Sequence, residues 1–183
     1  MADIIVKGSS GLFENEIELH GKYATEIRFL KDEVGIFNSL RDAYVVSAII
    51  GFITKAEVKV EEEENVKEAS IFSDEIKRRR KELKFIYQLI MLLDENPDFN
   101  IDDYKNRTFR DDPEDYPETV RENMVIFNRY VCIGLDFLYD KFINCNRINT
   151  TVDTLYEFVH EIAAATGVIE DQEELPDFTP KFN

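Results

Sequence analysis

Six cations fall between Lys77 and Lys84 in the stretch IKRRRKELKF: Lys77, Arg78, Arg79, Arg80, Lys81 and Lys84, with Glu82 as the one acid. A run of this kind can do three things. It can neutralise neighbouring acids as a solvated face, grip phosphates, or dock onto an acidic protein surface. Successive residues on a helix lie about 100° apart, so the three arginines spread around it while Arg80 and Lys84 share a face. The run holds no aromatic to stack on bases, which weighs against nucleic acid as its ligand.

Other residues with chemical potential lack the company that chemistry needs. Asp102-Asp103, Asp111-Asp112 and Glu114-Asp115 fall in an acidic stretch without the alternating oxygen ligands and turn glycine of a calcium loop. His160 has Glu157 and Glu161 beside it, but HExxH is absent, and His20 stands alone before Gly21. No GxSxG elbow, GxGxxG or Walker pattern occurs, and Gly8-Ser9-Ser10-Gly11 reads as a turn without the GK[ST] of a phosphate loop. Cys132 falls in an apolar stripe, where a thiol behaves as a small hydrophobe. Nothing near Cys145 in sequence would lower its pKa. The expectation is a non-enzymatic chain with no cofactor and no metal.

Composition narrows the partners. The net charge of −16 over 183 residues argues against a surface that is wholly a nucleic-acid footprint. It suits solubility, docking to a basic partner, or mimicry of nucleic acid by arrays such as Glu61–Glu64 and Asp111–Asp115. The densest apolar run, Ala43–Ile53, falls short of the roughly 18 residues that span a bilayer. The N-terminus MADIIVKGSS shows neither a secretion signal nor a Met-Gly acylation start. Two separated cysteines imply no disulfide framework, so a reducing, cytoplasmic setting without membrane contact is expected. A protein partner is expected, with nucleic acid and self-association left open.

The elements that must position these residues are mostly helical. Residues 2–6 and 13–19 can pair as a short hairpin. Tyr23, Ile27, Leu30 and Val34 then recur at helical spacing, and Gly35 stops that helix. Residues 36–53 predict a helix apolar nearly all round, hence a buried central one. An acidic loop over 54–68 leads to a third helix from Ala69 to Asp94, with Ile76, Leu83, Ile86, Ile90 and Leu93 as its stripe. Phe72, Phe85 and Leu89 widen that stripe. Asn96-Pro97 ends it, and 95–117 predicts a second acidic surface loop or lid. Pro117 and Glu118 open a fourth helix to about Asn144, buried along Val120, Met124, Phe127, Val131, Leu135 and Leu138. A fifth runs from Thr151 or Val152 to Ala165, with Thr150 or Thr151 as its cap and Gly167 as its stop. The prediction is an all-α single domain over 1–167, a bundle of about five helices, followed by a flexible acidic tail over 168–183.

Two stretches carry resemblances. In IFNSLRDAYVVSAIIGF, residues 36–52, Ile36 and Phe37 precede a polar spacer, the Arg41-Asp42 pair, and an apolar helix ending in Gly51-Phe52. This resembles a segment of small uncharacterised bacterial proteins encoded beside DNA phosphorothioation (dnd) genes. IFNRYVCIGLDFLYDKF has a similar flavour of defence-island accessory proteins. The resemblance implies a place beside DNA-modification or anti-phage defence machinery, without supplying an active site. The tail EELPDFTPKFN is similar in kind to the acidic peptide by which bacterial single-stranded DNA-binding proteins recruit partners, with Phe178 and Phe182 as its anchors. The basic strip and that tail are then the docking surfaces. Arg41 and Asp42 themselves predict orientation chemistry: Asp42 offsets the helix dipole, and Arg41 pairs with an acid on a neighbouring helix such as Glu26 or Asp136.

Overall fold

The computed structural model describes residues 4–7, 11–55, 67–145 and 148–168. The chain forms two compact units, Met1–Asn144 and Cys145–Asn183. In the first, β1 (Ile4–Lys7) pairs antiparallel with β2 (Glu16–His20), the expected hairpin, with Ile4 opposite Leu19 and Val6 opposite Ile17. α1 (Gly21–Arg28) runs into a π-helical turn at Phe29–Glu33. Gly35, at φ +75°, turns the chain out of it.

α2 (Leu40–Thr54) is the central helix, and none of its residues is exposed. It starts later than the apolar pattern predicts, because Ser39 caps it: the Ser39 Oγ accepts from the Asp42 amide at 3.1 Å. Residues 36–39 are therefore lead-in. Arg41 turns to its own neighbour, Nη2 lying 2.6 Å from Asp42 Oδ1, and its Nη1 donates to the Glu75 carbonyl at 3.4 Å. The expected pairing of Arg41 with Glu26 or Asp136 is thus corrected; Asp136 is held by Lys22 at 2.7 Å. Burial works against ionisation of Asp42, but the Arg41 and Ser39 hydrogen bonds prevail and hold its carboxyl below the usual range.

β3 (Glu68–Ile71) adds antiparallel to β2, giving a sheet of order β1-β2-β3. The all-α expectation becomes a mostly helical fold with a small sheet. Ala69 and Ile71 read locally as the start of a helix, but Leu19 and Ile17 lie opposite them, and all four are buried on one face. The predicted third helix is in fact this strand followed by α3 (Ser73–Arg78) and α4 (Arg80–Leu93), divided at Arg79, whose φ of −119° and ψ of 21° leave the helical region.

The predicted loop over 95–117 holds a further helix, α5 (Ile101–Phe109). Asn100 and Asp103 form a reciprocal capping box: the Asn100 Oδ1 accepts from the Asp102 and Asp103 amides at 2.8 and 3.2 Å, and Asp103 accepts from the Asn100 amide at 2.9 Å. α6 (Pro117–Phe142) opens on its proline as expected and buries Val120, Phe127, Val131, Leu135 and Leu138.

The core sits where α2 crosses α6. A Cβ on Gly51 would lie 1.9 Å from the Tyr130 carbonyl oxygen, and one on Gly134 1.9 Å from that of Ser47. These two glycines let the helix backbones touch. Beside the crossing, Phe13, Tyr44, Tyr87 and Phe127 pack edge-on or tilted with ring centres 5.8–5.9 Å apart. Tyr44 donates to Asn128 at 2.7 Å.

The second unit contains α7 (Ile148–Ala165). It begins before Thr150 and Thr151, so neither caps it. Its end is as expected: at φ +68°, Gly167 lets its own amide bond to the Ala164 carbonyl at 3.0 Å and that of Val168 to Ala163 at 2.9 Å, a Schellman motif. Most of the acidic stretch over 54–68, Glu61–Glu64 included, and the tail bearing Phe178 and Phe182 lie outside the described residues.

Candidate interaction surface

The six cations divide into two sets. Three are used within the fold. Arg80 pairs with Glu14 and donates to the Leu12 carbonyl at 2.9 Å, pinning the turn before β2 onto α4. Lys84 lies 2.9 Å from Asp111, which also accepts from Gln88 at 2.8 Å, so the chain leaving α5 is tied to the same helix. Arg79 pairs with Glu82 at 2.8 Å, and that hydrogen bond and charge raise its pKa further. Lys77, Arg78 and Lys81 are exposed and make no ion pair among the described residues. The strip therefore offers these three cations, at the end of α3 and the start of α4.

Next to them lies a feature that periodicity alone does not place. Lys81, Phe85, Leu89 and Leu92 follow one another at intervals of four, four and three, and share one face of α4. Phe85 is 65% exposed, Leu89 43% and Leu92 42%. The core residues Leu83, Tyr87, Ile90 and Met91 occupy the opposite face. α4 thus has two apolar sides, of which one meets α2 and α6 and the other is bare. Phe85 and Leu89 were expected to widen the buried stripe, together with Phe72; all three stand at the surface, Phe72 being 63% exposed. Phe109 and Ile101 of α5, which packs on α4, are exposed too. No acid interrupts the row from Lys81 to Leu92, and adjacent Glu82 is occupied by Arg79. Chemically, such a face buries an apolar ridge and meets negative charge at its N-terminal end.

The concave features of this unit are built differently. A cleft of about 500 Å³ is centred on Arg107, which is 7% exposed. Its Nη2 lies 2.5 Å from Asp94 Oδ2, its Nη1 donates to the Asp94 carbonyl at 3.1 Å, and its guanidinium stacks 5.6 Å from the centre of Phe99. Asn123 donates to the Arg107 carbonyl at 2.7 Å, and Tyr130 donates to the other oxygen of Asp94. Burial, together with that carboxylate, pushes the Tyr130 phenol up to about 12. With its donors engaged in this way, Arg107 ties α5 to α6 and to the end of α4.

A second groove of about 530 Å³ runs between β1 and α6, lined by Ile5, Val6, Pro113, Pro117 and Val125. It carries no titratable pair suited to catalysis. Elsewhere Asp103 accepts from the Asn100 amide at the α5 cap, Asp112 accepts from the Glu114 amide at 2.9 Å, and Asp102 pairs with Lys105 at 3.1 Å. His20 lies 3.7 Å from Glu18 and 3.8 Å from Glu68. Among the described residues no group of three His, Cys, Asp or Glu is placed to hold a metal. None of the helices there is long and apolar enough to cross a membrane.

Comparison of the chain with protein-family models, with curated proteins and with solved structures finds no match.

Proposed function

We propose that the protein works by binding another protein through the bare face of α4, as a non-enzymatic accessory subunit. The single observation that carries this reading is the exposed row Phe85, Leu89 and Leu92, continued at its N-terminal end by Lys81 and the free cations Lys77 and Arg78. The partner that fits is an amphipathic helix: apolar residues three and four apart to cover the row, and acids at the end that meets the cations. Charge supports this choice, since in a chain of net charge −16 no acid interrupts the row from Lys81 to Leu92. The setting beside bacterial DNA-modification or anti-phage machinery rests on the resemblance of residues 36–52. Arg41 and Asp42 add nothing to contact, being engaged at the start of α2.

The test is affinity capture from the native host, with identification of bound proteins, using wild type, Phe85→Glu/Leu89→Glu, and Lys77→Glu/Arg78→Glu/Lys81→Glu. Both variants are expected to lose the same partner while keeping the helicity and melting of wild type. Retention of that partner by both refutes the reading.

Two alternatives differ in outcome. Direct DNA or RNA binding would rest on three cations, after Arg79, Arg80 and Lys84 are spent in the fold. Titration at two salt concentrations separates it, because a phosphate site weakens steeply with salt. Mimicry of nucleic acid loses support at Asp111, whose charge is met by Lys84.

A further inference from the structure

The groove between β1 and α6 is bordered by a strand edge, and that edge sets the shape of its occupant. β1 pairs with β2 on one side, and among the described residues no other backbone bond reaches Ile4–Lys7. In an antiparallel pair, alternate residues turn their N–H and C=O groups away from the partner strand, so β1 presents an outward row of donors and acceptors. Ile4, Ile5 and Val6 all line the groove. Consecutive strand residues point to opposite faces, so a groove that touches all three runs along the edge of β1 rather than over one face.

The far wall is α6. Pro117, Val120, Met124 and Asn128 follow at intervals of three, four and four, one face of the helix over about 16 Å. An extended chain rises about 3.3 Å per residue, so this wall accompanies about five residues. A volume of about 530 Å³ spread over that length is roughly 6 Å across, one interstrand spacing and not two. That width decides between occupants. A helix, about 10 Å across with its side chains, is too wide. A second copy would have to bring β2 behind its own β1 through the same gap. A single extended segment fits, and its backbone supplies the partners that the edge of β1 lacks.

The walls select its side chains. Val125 is 66% exposed and Ile5 38%, bare apolar groups on either side of the groove. Among the described residues no acid lines it, in a chain holding 38, and Arg121, its one charged residue, pairs with Glu118 at 2.6 Å. Apolar residues at alternate positions of a strand are buried here without meeting a free charge. We infer that β1 and α6 form a strand-addition site for an extended segment of another protein, with apolar residues at alternate positions. The described residues that line it all belong to the first unit. The inference stands apart from the α4 reading and survives its failure.

A displayed library of random heptapeptides, selected on the full chain, is the test. Seven residues are too few for a stable helix, so the α4 face is not sampled. Selection is expected to enrich apolar residues two apart, and to lose that enrichment on Val125→Glu, a surface change whose folding circular dichroism checks. The enriched peptide, made synthetically, is expected to bind that variant at least about tenfold more weakly. A second arm needs no variant of the protein. N-methylation at alternate peptide residues removes the N–H groups that face β1 in one set and those that face away in the other. One set is expected to lose at least about tenfold in affinity and the other less than about twofold. No enrichment on wild type over Val125→Glu overturns the inference. So does enrichment at a spacing of three and four, or an equal effect of the two methylated sets.

Discussion

Glu26 offers the sharpest physical test of the fold. Lys22 and Glu26 sit one turn apart on α1 and face Asp136 of α6, so two carboxyls share one nearby cation. Lys22 lies 2.7 Å from Asp136 Oδ1 and pairs with that group. Glu26 is 7% exposed, and its Oε2 has no hydrogen-bond partner. Burial, then the charge of Asp136, pushes Glu26 up to about 8, against the opposing pull of Lys22; Asp140 adds slightly to the rise. The folded protein therefore binds this proton more tightly than the unfolded chain, whose value is 4.5.

The sign follows from that difference. The contribution is fully present below about 4.5 and is lost as pH rises through about 8. Each pH unit between these limits costs up to about 1.4 kcal/mol, so moving from pH 5.5 to 8.5 removes at most about 3 kcal/mol. Glu26→Gln resembles the protonated acid in shape and does not titrate. Urea unfolding of both proteins at pH 5.5, 7 and 8.5 is the assay. The stability of wild type relative to the variant is expected to fall steadily with pH, leaving the variant the more stable at pH 8.5. If the two curves run parallel across that range with equal m-values, the buried proton on Glu26 is refuted.

Three more perturbations probe the scaffold. Gly134→Ala places a methyl 1.9 Å from the Ser47 carbonyl, which α2 cannot yield without leaving α6; a loss of more than about 2 kcal/mol in chemical denaturation is expected. Ser39→Ala removes the cap of α2 and is expected to cost about 1 kcal/mol by the same measurement. Arg107→Met keeps much of the side-chain length but leaves the Asp94 carboxylate without its cation, held by the Tyr130 hydroxyl alone, and is expected to lower stability by about 3 kcal/mol. Its pH titration should show the Tyr130 phenol changed from about 12, readable by ultraviolet difference absorbance.

How much of this could be read from the sequence depended on whether the deciding chemistry was local. Pro117 and Glu118 opening α6, and Gly167 closing α7, act through their own backbone neighbours and were legible. β3 was not, because Ala69 and Ile71 become a strand only when Ile17 and Leu19 lie alongside, some fifty residues away in the chain. The start of α5 did carry its signal, Asn100 followed three residues later by Asp103, but the acidity of the surrounding stretch masked it. Phe85 and Leu89 failed for a different reason. Helical spacing shows that α4 has apolar residues on two sides and cannot say which side finds the core. The basic strip was visible as a group. Its division was not, since Glu14 and Asp111 are brought to Arg80 and Lys84 only by the fold.

The glycine crossing also bears on the order in which the first unit comes apart. At Gly51 and Gly134 each helix rests on its partner's backbone, so neither can slide or tilt locally while the other stays in place. Amide protons around 47–51 and 130–134 should therefore exchange with solvent only when the whole unit opens, and α5 and the Arg79 break should exchange sooner. α4 leans its core side on this slow-exchanging pair of helices. A partner landing on its outer side would meet a surface already held in shape, and would spend little of its binding energy on ordering it.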